Sequence, residues 1–244
     1  MKAFLLAGGL GTRLRPLTDT VPKCLIPING EPLISIWLSK LEEVGVDELL
    51  LNLHYLPDAV RRYFSDYRGG LKVHMFFEQV LLGSAGTVRA NSQFIRDEDN
   101  FFIIYADNLT DTNLGAMLDY HVRRRPLLTV GAFHAENPTE CGIMELDEND
   151  VITGFVEKPA EPRSDLANAG IYVATPGIVE FIPDKTPCDF GFDVFPSLIG
   201  KARGYVIDDF LIDIGTLEKY HLAQKLWKEK TRIKQKASWE LKKN

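Results

Sequence analysis

The chain has 244 residues, of which 45% are hydrophobic and 25% are charged, and its formal net charge is -6. This composition is typical of a folded globular protein and excludes wholesale disorder. The negative charge argues against a general nucleic-acid binder, because such proteins present a basic surface to phosphates. The three cysteines form no Cys-x-x-Cys pair, so we expect neither a disulfide framework nor a cysteine-rich zinc site.

The N-terminal segment predicts a cytoplasmic protein. Only five apolar residues stand between Lys2 and the first glycine, which is too short a run for a signal peptide. No stretch of about 18 consecutive apolar residues occurs, so the sequence predicts no membrane span.

Short apolar runs alternate with amphipathic stretches through the first half of the chain. Runs typical of buried strands cover residues 3–7, 48–53, 72–77, 101–105 and 127–133. Helical spacing of apolar residues predicts helices over 33–44, 59–64, 85–90 and 114–124. This alternation predicts an α/β fold that is Rossmann-like, with a mostly parallel mixed sheet and helices on both faces.

The second half of the chain shows a different pattern. Apolar runs over 142–146 and 151–156 flank a polar segment, which predicts a hairpin. A strand is predicted over 169–174, followed by a helix that begins at Thr175-Pro176. Helical spacing recurs over 192–199 and 217–227. Because no linker or internal repeat interrupts the chain, we expect one domain over residues 1–224.

Residues 225–244 form a basic tail. Eight Lys or Arg residues against two glutamates give it a net charge of +6, which leaves -12 on residues 1–224. Apolar residues at 226, 227, 233, 237 and 241 follow the spacing of one helix face. We therefore predict a C-terminal helix that docks on an acidic surface of its own or a neighbouring subunit. A mobile, solvated helix is the alternative, and self-association into a homo-oligomer is left open.

A glycine-rich loop follows the first predicted strand. Gly8, Gly9 and Gly11 allow backbone N–H groups to approach an anion, although a tight turn explains the glycines equally well. The segment matches neither the Walker A pattern nor Gly-x-Gly-x-x-Gly. Arg13 favours the anion, because guanidinium groups match phosphate oxygens. Arg15 fits a solvated surface charge equally well.

The residues from this loop onward carry a specific combined pattern. Gly-Gly-Leu-Gly-Thr-Arg-Leu-Arg-Pro-Leu-Thr over 8–18 is followed by Pro-Lys-Cys-Leu-Ile-Pro over 22–27 and Gly-Glu-Pro-Leu-Ile over 30–34. Further segments are Leu-Gly-Ser-Ala-Gly at 82–86, Tyr-Ala-Asp at 105–107, Glu-Lys-Pro at 157–159, Asn-Ala-Gly at 168–170 and Asp-Ile-Gly-Thr at 213–216. Together they resemble the sugar-nucleotide pyrophosphorylases, which are sugar-1-phosphate nucleotidyltransferases, and most of all the mannose-1-phosphate guanylyltransferases.

The resemblance implies a nucleotidyltransferase type of fold over residues 1–224 and an enzyme that makes a nucleoside-diphosphate sugar and pyrophosphate. Its partners would be a nucleoside triphosphate and a sugar 1-phosphate, with no nucleic acid and no membrane. The residues that it implies for catalysis, by binding phosphates, are Arg13, Lys23 and Lys158. Those that it implies for nucleotide binding are Ala7, Gly8, Gly9, Gly11, Thr12, Gln79 and Gly83. Those that it implies for the sugar phosphate are Gly142, Glu157 and Asn168.

Asp107 and Asp213 are the candidate metal ligands. Asp107 ends a strongly apolar strand and Asp213 stands among apolar residues, where a buried charge is costly unless it is paired or metal-bound. Alternatively, Asp107 has a structural role, in a turn or as the N-cap of a helix. The resemblance implies that both carboxylates hold Mg²⁺, the expected cofactor. Asp111 is a further candidate that would serve equally well as a cap for the helix near Leu114.

The choice among possible substrates rests on the family resemblance and not on the spacing of residues. It favours GTP with mannose 1-phosphate or a related sugar such as a heptose. Uridylyl or thymidylyl transfer to glucose 1-phosphate or another hexose 1-phosphate is the alternative. A non-catalytic regulatory subunit that binds sugar nucleotides is an alternative of another class. The presence of all five charged candidates, Arg13, Lys23, Asp107, Lys158 and Asp213, favours the enzyme.

Overall fold

The computed structural model describes the backbone of residues 1–241 and the side chains of residues 1–232. Over this part of the chain, the α-helices are Leu33–Glu43 (α1), Pro57–Ser65 (α2), Ser84–Ala90 (α3), Leu114–Arg124 (α4) and Leu217–Leu241 (α5). Among the residues so described, no helix has both the length and the apolar character that crossing a bilayer requires.

The strands build one large sheet and two small ones. In chain order they are Lys2–Leu6 (β1), Pro27–Ile28 (β2), Glu31–Pro32 (β3), Glu48–Leu53 (β4), Lys72–Phe77 (β5), Phe101–Tyr105 (β6), Asn108–Thr110 (β7), Leu128–His134 (β8), Gly142–Leu146 (β9), Ile152–Glu157 (β10), Leu166–Ala174 (β11), Ala202–Val206 (β12) and Leu211–Asp213 (β13). The large sheet has the order β10-β9-β11-β6-β1-β4-β5, and β8 pairs with both β11 and β12.

The centre of the large sheet is parallel and its second half is mixed, as the sequence predicts. Strands β5, β4, β1 and β6 run parallel to one another, and β11 joins them antiparallel to β6. Strands β9 and β10 form the predicted antiparallel hairpin. The carboxyl ends of β1, β4 and β6 therefore open at one edge, which is where ligands bind in open α/β sheets.

The apolar runs of the central strands reflect burial on both faces of the sheet. On β1, Phe4 belongs to one buried cluster, whereas Ala3 and Leu5 belong to the cluster on the opposite face. On β6, Phe101 and Phe102 divide between the two clusters in the same way. Successive side chains of a strand point to opposite faces, so a strand covered on both sides reads as a continuous apolar run. Full burial of each large side chain contributes about 1.5–3 kcal/mol.

The helix predicted over 192–199 differs from the structure. A π-helical turn covers Phe190–Val194, and a separate 3₁₀ turn covers Phe195–Leu198. Pro196 has no backbone N–H and its ring obstructs the preceding turn, so a regular α-helix cannot continue through this segment. The apolar residues of the segment nevertheless pack into the core, because Phe190, Val194 and Phe195 are buried.

A small two-stranded sheet draws together distant parts of the chain. Strand β7 follows β6 directly and pairs antiparallel with β13, so that Asn108 lies opposite Asp213. A third buried cluster lies around this sheet and includes Leu14, Leu109, Ile214 and, from α5, Tyr220. Neither strand is predicted from the sequence, because each has only three residues.

Helix α5 runs through the boundary that we predicted at residue 225, and its described part packs on the body of the protein. The Trp227 ring lies 5.7 Å from that of Phe210, and Lys230 Nζ lies 2.7 Å from Asp111 Oδ2. Asn113, rather than Asp111, caps α4 through its side chain. The side chains at 233, 237 and 241, which complete the predicted apolar face, lie outside the described residues.

Candidate active site

The two candidate metal ligands lie side by side. Asp107 lies in the two-residue turn between β6 and β7, and Asp213 is the last residue of β13. The N–H of Ile214 donates to the carbonyl oxygen of Asp107 at 3.0 Å, in continuation of the pairing between Asn108 and Asp213. The antiparallel pairing of β7 and β13 therefore brings together two carboxylates that are far apart in the sequence.

Three cations surround this pair of carboxylates. Lys23 Nζ lies 2.6 Å from Asp107 Oδ2 and 3.6 Å from Asp213 Oδ1. Lys219 Nζ lies 3.9 Å from Asp213 Oδ2. Burial raises the pKa of Asp213, the charge of Asp107 raises it further, and the charges of Lys23, Lys219 and Arg13 oppose both effects. The cluster is thus a set of interacting charges at one end of the sheet.

Arg13 reaches the same cluster from the glycine-rich loop, which continues into a 3₁₀ turn over Thr12–Leu14. A Cβ atom on Gly215 would lie 2.6 Å from Asp213 Oδ2 and 3.2 Å from Arg13 Nη2. The absence of a side chain at Gly215 therefore lets Asp213 and Arg13 approach each other. Arg13 and Thr12 are both exposed, so their polar groups are accessible to a ligand.

The donor set fits a magnesium ion. Over residues 1–232, whose side chains are described, no group of three or more His, Cys, Asp or Glu side chains is arranged to hold a metal. Mg²⁺ is usually bound by only one or two carboxylates, with water and substrate phosphates as its other ligands. Asp107 and Asp213 could therefore hold such an ion when a phosphate substrate is present.

A cavity of about 450 Å³ opens beside the cluster, at the carboxyl ends of β1, β4 and β6. Its lining includes Gly8, Gly9, Gly83 and Asp107. A Cβ atom on Gly8 would lie 2.8 Å from the Asn52 side chain, so glycine is needed for this close approach. Because the cavity and the carboxylate cluster share Asp107, a ligand in the cavity has direct access to the cluster.

The remaining glycines of the nucleotide set fix the shape of these loops. Gly11 has a φ of 63°, a left-handed conformation that favours glycine, and its carbonyl accepts a hydrogen bond from the Thr18 hydroxyl. Gly83 has a φ of 82° and packs against the backbone of Cys188. A side chain at either position would be strained and crowded.

A buried polar network supports the floor of the cavity. The Ala7 N–H donates to Asn52 Oδ1 at 2.6 Å, and Asn52 Nδ2 donates to Glu78 Oε1 at 2.9 Å. Glu78 also accepts hydrogen bonds from the Thr87 hydroxyl and from the Leu82 N–H. The network ties the glycine-rich loop to the segment before α3, on the opposite side of the cavity.

The structure places Glu78, not Gln79, in the cavity lining. Glu78 is only 2% exposed, whereas Gln79 is exposed and is not one of the lining residues. Glu78 is not among the residues predicted from the sequence, although the alternation of strand side chains indicates it. Phe76 packs on the core and Phe77 is 49% exposed. Because side chains alternate along a strand, Glu78 points inward as Phe76 does, and Gln79 points outward as Phe77 does.

Two of the candidate sugar-phosphate residues, Gly142 and Glu157, lie on the β9–β10 hairpin, and Lys158 follows directly. Glu157 is paired with Gly142, and the Lys158 N–H donates to the Cys141 carbonyl at 2.9 Å. Lys158 has a φ of 49°, which is uncommon for a residue with a side chain and typical of functional sites. Burial raises the pKa of Glu157, and the charge of Lys158 opposes that shift.

Asn168 lies on β11, and its amide is already engaged within the protein. Its Nδ2 donates to the Tyr172 hydroxyl at 2.9 Å, and its Oδ1 accepts from the Gly170 N–H at 2.9 Å. Gly170 has a φ of 64°, and a Cβ there would meet the Tyr105 ring. Asn168 therefore fixes the turn beside the site, and a contact with a sugar would use its remaining hydrogen-bonding capacity.

The half-buried Cys141 stands in the segment that links the two halves of the site. The residue before it, Glu140, lies 3.7 Å from Lys219, and the residue after it, Gly142, pairs with Glu157. Burial raises the pKa of the Cys141 thiol, and the charged groups that act on it are Lys219, Asp213, Glu140 and Glu157. Asp213 belongs to the carboxylate cluster, whereas Glu157 belongs to the β9–β10 hairpin. The structure therefore brings the candidate metal ligands and the candidate sugar-phosphate residues to one region.

The comparison with known protein families identifies the class of protein. The profile of the family described as "Nucleotidyl transferase" matches residues 2–230. The chain therefore belongs to the nucleotidyltransferase family, and the sequence-based resemblance to its sugar-1-phosphate members is confirmed.

Individual relatives support this placement. The chain is 32% identical over 238 residues to UTP–glucose-1-phosphate uridylyltransferase of Synechocystis sp., covering 90% of this chain and 61% of the relative. It is 31% identical over 223 residues to mannose-1-phosphate guanylyltransferase of Mycobacterium tuberculosis, covering 89% of this chain and 62% of the relative. This chain thus spans about three fifths of the length of these curated relatives.

A solved structure is similar over nearly its whole length. HddC from Yersinia pseudotuberculosis, complexed with GMP-PN, superposes with a TM-score of 0.78 and 26% sequence identity. The similarity covers 93% of this chain and 99% of that chain. The α/β nucleotidyltransferase fold predicted from the sequence is therefore confirmed.

Proposed function

We propose that this protein joins a nucleoside triphosphate to a sugar 1-phosphate, giving a nucleoside-diphosphate sugar and pyrophosphate. The observation that carries the proposal is the cluster of Asp107, Asp213 and Lys23 at the mouth of the glycine-lined cavity. Phosphoryl and nucleotidyl transfer depend mainly on positioning and on stabilising charge, and this cluster supplies both carboxylates for a metal and cations for phosphates.

The reaction needs no general base. The second pKa of a phosphate monoester is about 6, so the sugar phosphate is already an anion near neutral pH. One of its oxygens forms a bond to the α-phosphorus of the nucleotide. The bond from that phosphorus to the bridging oxygen of the β-phosphate breaks, and its electron pair leaves with pyrophosphate.

Each charged residue then has a role that follows from its place. Arg13 and Lys23 approach the cluster from the glycine-rich loop and the turn after it, and in our proposal they hold the triphosphate. Lys158, directly after the β9–β10 hairpin, neutralises the sugar phosphate. Asp107 and Asp213 would hold a magnesium ion, which would supply positive charge to the reacting phosphates.

For the base we propose guanine, bound in the glycine-lined cavity beside the charge cluster. Glu78 supports this cavity from within, because its carboxylate already accepts hydrogen bonds from Asn52, Thr87 and the Leu82 N–H. The guanylyltransferase relative and the GMP-PN complex of HddC support this choice, and the uridylyltransferase relative keeps UTP as the alternative. For the sugar we propose mannose or a heptose.

The regulatory-subunit alternative predicts loss of a metal carboxylate or a phosphate-binding cation. Here the two aspartates and Lys23 are not only present but in contact, which favours catalysis. The cytoplasmic location, the absence of nucleic-acid binding and any homo-oligomer stay predictions, as does the division between residues 1–224 and the tail.

A substrate panel tests the proposal. The protein is incubated with magnesium, inorganic pyrophosphatase, one of ATP, GTP, CTP, UTP or dTTP, and mannose, glucose or heptose 1-phosphate, and phosphate release is measured. We expect release above the background of Asp107→Asn with at least one pair, and the fastest release with GTP. No release with any pair would refute the function, whereas fastest release with UTP or dTTP would refute only the choice of base.

A further inference from the structure

Lys219 is a cation of the active site to which the sequence motifs assign no role. It lies in the first turn of α5, and its Nζ is 3.7 Å from Glu140 Oε2 and 3.9 Å from Asp213 Oδ2. Both distances exceed those of a hydrogen bond, so the ammonium lies between two carboxylates without a close contact to either. The side chain is 36% exposed, which leaves it open to a ligand.

The position on the helix does not explain this lysine, and one of its two neighbouring carboxylates, Asp213, is shared with other cations. The N-terminal turn of a helix carries a partial positive charge, which disfavours a cation there. Arg13 and Lys23 also compete for Asp213. If Asp213 binds a metal, its charge is no longer available to Lys219, and Glu140 is the anion that remains. Lys219 then has capacity to bind another anion.

The surroundings of Lys219 point to the phosphate of the sugar substrate. Lys219 Nζ lies 3.7 Å from a carboxylate oxygen of Glu140, and the carbonyl of the next residue, Cys141, accepts the hydrogen bond from the Lys158 N–H. The Lys219 ammonium and the Lys158 backbone therefore meet the same short segment from two different elements, α5 and the end of β10. Asp213, on the other side of Lys219, belongs to the cluster that meets the nucleotide.

We propose that Lys219 binds the phosphate group of the sugar 1-phosphate together with Lys158, on the side that faces Asp213. The inference rests on the proposed function and adds to it a second binding residue for one substrate. Two cations on different elements hold the phosphate in one orientation better than a single lysine does, because a lone ammonium is a point charge that leaves the phosphate free to turn.

Steady-state kinetics with the pair of substrates that the panel identifies test this inference. Lys219→Met keeps the length of the side chain and removes its charge. We expect the Michaelis constant for the sugar 1-phosphate to rise about tenfold or more, since a charge-assisted hydrogen bond is lost, with less than a twofold change for the nucleotide. Lys219→Arg should restore most of the affinity, and Lys158→Met should show the same selectivity for the sugar phosphate.

Lys72→Met is the matched control. Lys72 lies on the edge strand β5, with its Nζ 3.1 Å from Glu48 Oε2, and its loss should change neither Michaelis constant. A lowered melting temperature of Lys219→Met with unchanged Michaelis constants would show that Lys219 only balances Glu140 and Asp213. A rise for the nucleotide alone would place Lys219 on the triphosphate. Either result overturns the inference while the function stands, whereas a wild-type protein without activity overturns both.

Discussion

Lys23 bridges Asp107 and Asp213, with its Nζ 2.6 Å from a carboxylate oxygen of the first and 3.6 Å from one of the second. The Lys23 side chain is only 12% exposed, so this ammonium lies where solvent screening is reduced. It offsets part of the negative charge of the two carboxylates, as a bound metal ion would. If the two aspartates hold a metal ion, as we propose, Lys23 and the metal compete for the same oxygens. A bound triphosphate would then relieve this competition by offering phosphate oxygens to Lys23.

Replacement of Lys23 by methionine should strengthen metal binding in the absence of nucleotide. The two carboxylates lose their internal cation, so we expect the Kd for Mn²⁺, measured by isothermal titration calorimetry at pH 8, to fall about tenfold or more. Turnover should fall at the same time, because the triphosphate loses a cation. Lys185→Met is the control, since Lys185 pairs with Asp193 on the surface. Unchanged or weaker Mn²⁺ binding in Lys23→Met would contradict this competition.

Asp107→Asn and Asp213→Asn should each abolish most activity while the fold is kept. An amide replaces a carboxylate of nearly the same shape, so packing is preserved, whereas the loss of transition-state stabilisation is about 3 kcal/mol or more, a rate decrease of about a hundredfold or more. The measurement is kcat at saturating magnesium, with circular dichroism as the check on folding. Asp58→Asn, which removes an exposed partner of Arg61, should leave kcat unchanged. Near-normal turnover in either of the first two variants would exclude that residue as a metal ligand.

His121 should make the protein sensitive to acid. Its side chain is 1% exposed, its Nδ1 lies 2.9 Å from the Thr129 hydroxyl, and its Nε2 has no partner among the described residues. Burial lowers its pKa from the ordinary 6.5 to about 4. As the pH falls, the unfolded chain therefore takes up a proton on this histidine before the folded protein does. The contribution of neutral His121 to the free energy of unfolding is complete above pH 6.5 and decreases as the pH falls towards 4. The loss amounts to about 3 kcal/mol.

Urea unfolding between pH 7 and pH 4 measures this effect. His121→Asn, whose amide can reach the position of Nδ1, should lower stability at pH 7 and flatten the dependence on pH. The same substitution at His134, which is exposed and paired with Asp165, should leave the steep dependence in place. Parallel pH profiles for wild type and His121→Asn would show that another group is responsible.

Trp227→Ala should destabilise the protein through loss of packing. Trp227 contacts Phe210, which precedes β13, so the tail supports the strand that carries Asp213. Truncation of a partly buried tryptophan should cost about 2 kcal/mol and lower the Tm. Removal of the neighbouring ion pair by Lys230→Met should cost less, about 1 kcal/mol, because one partner is partly exposed. An unchanged Tm in Trp227→Ala would indicate that this part of the helix does not hold the body together.

The sequence predicts best those strands and helices whose residue pattern has a single physical cause. Strands over 48–53, 72–77 and 101–105 are found with the same bounds, because burial or alternation along the whole strand leaves a clear pattern. The helix Leu114–Arg124 also agrees, since its apolar spacing is interrupted by no proline and is followed by basic residues. The motif residues needed the family resemblance, because glycines and lone charges fit more than one structure.

What the sequence did not predict depends on tertiary pairing. The approach of Asp107 to Asp213 follows from two three-residue strands, too short to show a period. Lys219 stands out only once α5 is placed against the turn that contains Glu140. The choice between Glu78 and Gln79 depends on a shift of a single residue at a strand end, which moves a side chain to the opposite face.

The third buried cluster joins the beginning of the chain to its end. Tyr220 donates its hydroxyl hydrogen bond to the Pro27 carbonyl, and Gln224 accepts from the Asn29 N–H. These hydrogen-bonded residues are 193 and 195 positions apart in the sequence, so this part of the fold closes a very long loop at a cost in chain entropy. The pairing of β7 with β13, which brings Asp213 to Asp107, is also between distant parts of the chain. Because non-local contacts form slowly, we expect a folding intermediate that contains the central parallel strands to lack the charge cluster.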